Sequence, residues 1–383
     1  MHAVLHLTPL EVASHVVVGA GENRPGPPAA VGNCDPLSAL EDAIRPALLN
    51  APCLVSFSGG HDSSLVLGLA VRIARRDGLP LPVPITCRFT DAPLAEESEL
   101  QETVVRALEL TEWTRVAAGD DLDFVGPVST GVLERHGLLY PANTFLHAPL
   151  FDHATGGTLL TGYGGDHVLA RCSRARRPLW MAERSDPLET FPWLRRHPAA
   201  DVERALARER HSVPSRVDRR GRWRAGRRDV ALACSSLAAV AEGRGTRVEH
   251  PLLDPGFLSA LEHSGICPHS AGGRARLITA IVGDVLPEAC TTARPKARFR
   301  EVMWRRHTRA LLSRHHLDSI IDAIDDGIID PDGLRREWGR ERPNARTALL
   351  LQKAWLTIRC TAGDSAGPED TGRTDKPGRG SHA

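Results

Sequence analysis

Residues 53–64 read Cys-Leu-Val-Ser-Phe-Ser-Gly-Gly-His-Asp-Ser-Ser. A short apolar run (53–57) enters a glycine turn and leaves it as SSLVLGLAVRIARRDG, whose apolar positions recur at helical spacing until Gly78. Few architectures accept a buried strand, a glycine turn and an amphipathic helix in that order. The alternation then repeats. PVPITCRF (82–89) predicts a second buried strand, EESELQETVVRALEL (96–110) a helix, and WTRVAA (113–118) a third strand. A helical stretch near 122–136 precedes TLLTGYGGD (158–166), a strand that ends in a second glycine turn. Strands and helices alternating in this way predict an α/β fold, a doubly wound parallel sheet. Such sheets bind ligands at the carboxyl ends of their strands, where both glycine turns fall.

The α/β pattern occupies residues 36–170 and opens with a helix over 36–50 that starts at Asp35-Pro36. Residues 171–360 read as mainly helical, with no recurring strand pattern, and 171–228 hold 17 Arg. That block reads first as a solvated helical surface and second as a groove for an acidic peptide. Residues 1–35 are a short N-terminal segment, too small for a domain of their own. The polar, Gly- and Pro-rich stretch 361–383 is expected to be a disordered tail. Residues 36–360 are thus expected to form one domain, an α/β core over 36–170 followed by a mainly helical part over 171–360.

Composition removes several function classes. An apolar share of 42% and a charged share of 25% are those of a globular chain. Net charge is +1, so nothing global argues for a nucleic-acid or membrane-surface partner. No apolar run reaches the roughly 18 residues of a membrane span. No basic segment precedes a long apolar core at the N-terminus, so a signal peptide is not expected and the cytoplasm is the expected compartment. The eight Cys are scattered singly, which fits reduced core cysteines rather than a zinc site or a disulfide framework.

Chemistry concentrates at the glycine turns. In Ser58-Gly59-Gly60-His61-Asp62-Ser63-Ser64 the glycines let backbone pass close to a polyanion, and the following helix N-terminus adds positive charge. Ser58, Ser63 and Ser64 add hydroxyls. A carboxylate beside phosphates is repulsive unless a cation intervenes, so Asp62 implies Mg2+. The absence of Gly-Lys-Ser/Thr excludes a Walker-type loop. The second turn, Thr161-Gly162-Tyr163-Gly164-Gly165-Asp166, would bring a second carboxylate to a neighbouring strand tip. Of 48 basic residues only Lys296, Lys353 and Lys376 are Lys, so Lys296 in Arg294-Pro295-Lys296-Ala297-Arg298-Phe299 stands out as a compact ammonium.

The Ser58–Ser64 turn resembles the pyrophosphate loop of the N-type ATP pyrophosphatases, which have an adenine nucleotide alpha hydrolase-like, Rossmann-like fold. The later motifs are similar to those of the asparagine synthetase and β-lactam synthetase branch, over roughly residues 36–312. The resemblance implies ATP and Mg2+ as cofactors, with Ser58, Gly59, Gly60, Asp62, Ser63, Ser64, Thr161 and Gly162 at the nucleotide. It implies Asp62 and Asp166 as metal ligands and Lys296 as the cation on the α-phosphate. LTGYGGD is closer to the β-lactam synthetase version, which implies a catalytic Tyr163 acting as general base, with Glu249 a guess for its partner. A Tyr packed beside the nucleotide is the alternative. Arg274 and Arg276 are weaker phosphate contacts. Asparagine synthetases usually carry a Glu where Tyr163 stands and an acidic residue where His167 stands.

The resemblance therefore implies a ligase that adenylates a carboxylate, releases pyrophosphate and lets an amine displace AMP. Glutamine-using relatives begin with a glutaminase domain whose first residue is Cys; His2 and the early start near residue 36 lead to the expectation that none is present. Three readings stay open. The substrate is a peptide or small molecule that supplies both carboxylate and amine, as for lasso-peptide macrolactam cyclases, with a precursor-peptide processing protein as partner. Alternatively aspartate is amidated with ammonia, free or from a partner glutaminase. In the third reading the chain binds nucleotide without catalysis.

Overall fold

The computed structural model describes residues 6–21, 35–89, 92, 98–169, 186–266, 273–292, 300–313 and 317–364. Five parallel strands form one sheet: β1 (Cys53–Ser56), β2 (Val83–Phe89), β3 (Thr114–Ala118), β4 (Thr158–Thr161) and β5 (Arg247–Glu249), in the order β3-β2-β1-β4-β5. The first four lie where the sequence predicts strands. β5 corrects the expectation that no strand follows residue 171. It is three residues long at the sheet edge, and only Val248 is even half-buried, so no alternation marks it.

Alternate residues of the central strands enter different cores, as the two-residue period of a strand requires. Leu54 and Leu159 pack on one face with Phe124, Phe145, Phe151 and the long helix Ala348–Asp364. Val55 and Leu160 pack on the other, against helices Pro36–Leu48, His61–Asp77, Pro255–His263 and Arg274–Val282. The register aligns Ser56 of β1 with Thr161 of β4, so the turns that leave these adjacent strands start side by side.

Two segments outside the alternating region belong to the core. Residues 9–14 form a helix with a Thr8–Glu11 capping box, and Val12 and Ala13 are buried. Trp193, fully buried, donates its indole N–H to Ala13 O at 2.8 Å. The last helix runs to Asp364, four residues into the segment expected to be a tail; residues 365–383 lie outside the described residues. The described part of the Arg-rich block is largely tied down. Arg195 pairs with Asp325, Arg219 and Arg222 with Glu262, Arg227 with Glu209, and Arg228 with Glu11. These arginines fasten the helical part to its neighbours, which is a structural use of that charge. Residues 171–185 are outside the description.

Candidate active site

The chain leaves β1 at Phe57, turns through Ser58-Gly59-Gly60 and starts the helix His61–Asp77 with Gly60 as N-cap. Gly59 has φ +85°, and a Cβ there would stand 2.9 Å from Gln101 Cγ, so both backbone and space demand glycine. Gln101 fixes the turn from outside by donating to Ser58 O at 3.0 Å. Inside it, Ser63 Oγ accepts from Ser58 N at 3.3 Å and donates to Gly60 O at 3.1 Å. Ser58 Oγ lies 3.2 Å from Ser63 Oγ and accepts from Gly60 N at 3.3 Å. The N-cap of this 17-residue helix is Gly60, which has no side chain to cap it, and the positive end of the helix lies at the carboxyl edge of the sheet.

The turn after β4 interlocks with this one. A Cβ on Gly162 would stand 2.8 Å from Ser63 N and 2.9 Å from Asp62 C. A Cβ on Gly165 would fall 2.1 Å from Asp62 Cγ and 2.4 Å from each of its oxygens. The Asp62 carboxylate therefore rests in the notch that Gly165 leaves, one residue from Asp166. Arg274, first residue of the helix Arg274–Val282, joins the two acids. It donates to Asp62 Oδ2 at 3.2 Å, to Asp166 Oδ1 at 2.7 Å and to Gly165 O at 3.0 Å. One guanidinium spans both carboxylates.

Sequence reasoning named these residues, and the fold brings Ser58, Gly59, Gly60, Asp62, Ser63, Gly162 and Asp166 to one place. Two of its hydroxyls turn inward instead. Ser64 is fully buried, with Oγ donating to Gly59 O at 3.4 Å. Thr161 is 2% exposed; its Oγ1 lies 2.7 Å from His250 Nδ1 and accepts from Tyr163 N at 3.2 Å. Arg276 is exposed, two residues along the helix from the bridging Arg274. Lys296 and the rest of its motif lie outside the described residues. The segment leading to it is anchored at Leu286 and Cys290, which lie close over Gly68 of the helix His61–Asp77.

Tyr163 stands behind the second turn. Its ring meets His250 edge-on at 5.4 Å and His167 at 5.9 Å. Burial pushes its phenol pKa well up, helped by Cys234 and Asp229 nearby. Glu249 is not among the groups that act on it; it stands on β5, opposite Leu160, where partial burial raises its carboxyl. Asp229 acts on both Tyr163 and His167, and its Oδ1 is enclosed without a hydrogen-bond partner among the described residues. Burial lowers His167, against the pull of Asp229 and Asp166, and lowers His250 to about 4. The sequence singles out neither Asp229 nor His250. No short-range pattern could link either one to Tyr163.

Among the described residues no group of three or more His, Cys, Asp or Glu converges as a metal cage. The described residues offer two carboxylates here, Asp62 and Asp166. That donor set suits Mg2+, which takes one or two carboxylates and completes its octahedron with phosphate oxygens and water.

A parallel sheet with two interlocked glycine turns, a helix N-terminus and paired aspartates at adjacent strand tips makes this an α/β domain whose candidate site lies at the carboxyl edge of the sheet. The chain belongs to the asparagine synthase family: the family model for asparagine synthase matches residues 37–357. It is thereby a member of a ligase family that uses ATP and acts on a carboxylate substrate. No curated protein matches the chain. No described helix is long and apolar enough to cross a membrane.

Proposed function

We propose that this chain is an amide-forming ligase that transfers AMP from ATP to a substrate carboxylate, releases pyrophosphate, and then lets an amine displace the AMP. The observation that carries the reading is the convergence of Asp62 and Asp166 on one cation between two glycine turns. A triphosphate laid along Ser58–Ser63 would meet the helix N-terminus with its phosphate tail. Mg2+ held by Asp62 and Asp166 would supply charge neutralisation for the departing pyrophosphate. Arg274 already lies at that spot and is positioned to take phosphate oxygens. Lys296 is assigned to the α-phosphate, where its ammonium offsets charge that builds as the acyl adenylate forms and breaks.

The amine step belongs to Tyr163. Its burial favours the neutral phenol, so Tyr163 orients the amine by hydrogen bonding, and the proton needs a receiving carboxylate. Asp229, whose enclosed Oδ1 has no hydrogen-bond partner among the described residues, supplies one in the same neighbourhood. The substrate class is a peptide or natural product carrying both carboxylate and amine, so that the product is a ring. Tyr163, in place of the Glu usual in asparagine synthetases, supports that reading over amidation of aspartate by ammonia.

The test is carboxylate-dependent exchange of labelled pyrophosphate into ATP in the presence of Mg2+. Formation of ADP and phosphate would exclude the mechanism. Asp62→Asn and Asp166→Asn are each expected to abolish exchange, and wild-type rates in both would remove the metal assignment.

A further inference from the structure

The turn that follows β4 leans on a second turn. β5 ends at Glu249, and His250 then leads into the short helical turn Pro251–Leu253. The two turns meet at three points. A Cβ on Gly164, which has φ +97°, would stand 2.5 Å from Leu253 Cγ. The Tyr163 ring meets the His250 ring edge-on at 5.4 Å, and His250 Nδ1 lies 2.7 Å from Thr161 Oγ1.

Hydrogen accounting fixes the direction of that last bond. Thr161 Oγ1 accepts from Tyr163 N at 3.2 Å and carries one hydrogen of its own. Were His250 Nδ1 the donor, the Thr161 hydrogen would have no acceptor among the described residues. His250 Nε2, enclosed and without a partner among them, would then be a bare acceptor as well. With Thr161 as donor, the imidazole hydrogen sits on Nε2, and of these groups it alone is left unpaired. Enclosed polar groups are costly when unpaired, so the second arrangement is favoured. It requires a neutral ring, and burial supplies one by lowering the His250 pKa to about 4.

We propose that His250 is a positioning residue for the amine step. Its Nδ1 orients the Thr161 hydroxyl, the hydroxyl holds the Tyr163 backbone, and the His250 ring bounds the Tyr163 ring, so that the phenol is aimed. The inference rests on the reading of Tyr163 as the residue that orients the amine. It gives the buried Thr161 hydroxyl a task other than touching nucleotide. Adenylation depends on this pair less, because Asp62 and Ser58–Ser63 belong to the turn after β1 and its helix.

The experiment starts with the full chain carrying isotope-labelled histidine, read by nitrogen NMR, with the His250 signals assigned by their loss in His250→Gln. Wild type should show the Nε2–H tautomer in about tenfold excess, the weight of one buried hydrogen bond. Thr161→Val, which exchanges the hydroxyl for a methyl of similar size, should lower that excess several-fold, and Thr161→Ser should restore it. Tyr163 is read next. The chain has two Tyr, so tyrosine labelled at Cζ gives one carbon line each for Tyr140 and Tyr163. Thr161→Val should move the Tyr163 line more than the Tyr140 line, whereas general loosening of the fold would move both. Thr161→Ser should leave both lines near wild type.

A dominant Nδ1–H tautomer in wild type overturns the proposal, and that measurement needs no variant to fold. So does a Tyr163 line that stays in place in folded Thr161→Val, or one that Thr161→Ser displaces as far. A kinetic comparison separates the inference from the function it rests on, with AMP release and labelled pyrophosphate exchange measured on one carboxylate. Thr161→Val and Tyr163→Phe should each lose about tenfold in AMP release beyond any loss of exchange. If Tyr163→Phe does so and Thr161→Val does not, the pair does not aim the phenol and this inference falls alone. If neither does, Tyr163 leaves the amine step and both fall together.

Discussion

Gly165 is the position at which the two halves of the site touch, so Gly165→Ala gives the sharpest test of the geometry. The new methyl would start 2.1 Å from Asp62 Cγ, whereas ordinary contact begins at 3.4 Å. The Asp62 carboxyl must then retreat by about 1.3 Å, or the turn must open by as much. Overpacking of this kind costs about 1–3 kcal/mol of stability. The functional loss is expected to be larger, because a catalytic group displaced by about 1 Å costs on the order of 100-fold in rate. The assay is carboxylate-dependent pyrophosphate exchange, run beside urea unfolding of the same preparation. Gly131→Ala is the control. That glycine is helical with nothing within 4 Å of its Cβ, so alanine should be neutral or stabilising by up to about 1 kcal/mol. If Gly165→Ala keeps half or more of the exchange rate, Asp62 does not need its observed position, and the reasoning fails.

Lys296→Ala should lower the exchange rate by roughly 100- to 1,000-fold, the usual loss for a donor that stabilises developing charge, and full activity would remove it from the chemistry. Tyr163→Phe should slow product formation from preformed acyl adenylate far more than it slows exchange; equal slowing of both would reduce Tyr163 to packing. His250 offers a pH test. Its pKa in the fold is about 4 against 6.5, so its contribution is fully present above pH 6.5 and is lost as pH falls toward 4. That contribution is on the order of 3 kcal/mol, and His250→Gln should flatten the acid limb of a stability–pH curve over this window. An identical limb in the variant would place the titration elsewhere.

The fold was largely legible because strand and helix differ in period, and the glycine turns mark where one becomes the other. β1 to β4 and the helix ending at Gly78 follow from that alone. β5 escaped because Arg247-Val248-Glu249 has one half-buried residue and takes its direction from β4 beside it. In the site, Asp62 and Asp166 could be singled out because an acid beside a phosphate turn is electrostatically odd. The inward rotation of Ser64 and Thr161 could not, since residue type gives a hydroxyl but not its direction. Arg274 was weighed as a phosphate contact; its bridging role depends on partners 212 and 108 residues away, a separation that no local pattern spans.

The family match begins at residue 37, but the folded body begins earlier. Glu11 holds Arg228, Ala13 O receives the indole of Trp193, and Val12 and Ala13 sit among core side chains. A clone trimmed to the homology boundary would expose that indole to solvent and leave a basic side chain without its acid. Expression work on this chain should keep the first two dozen residues, and low yield from a shortened version would report a wounded interior rather than a lost substrate.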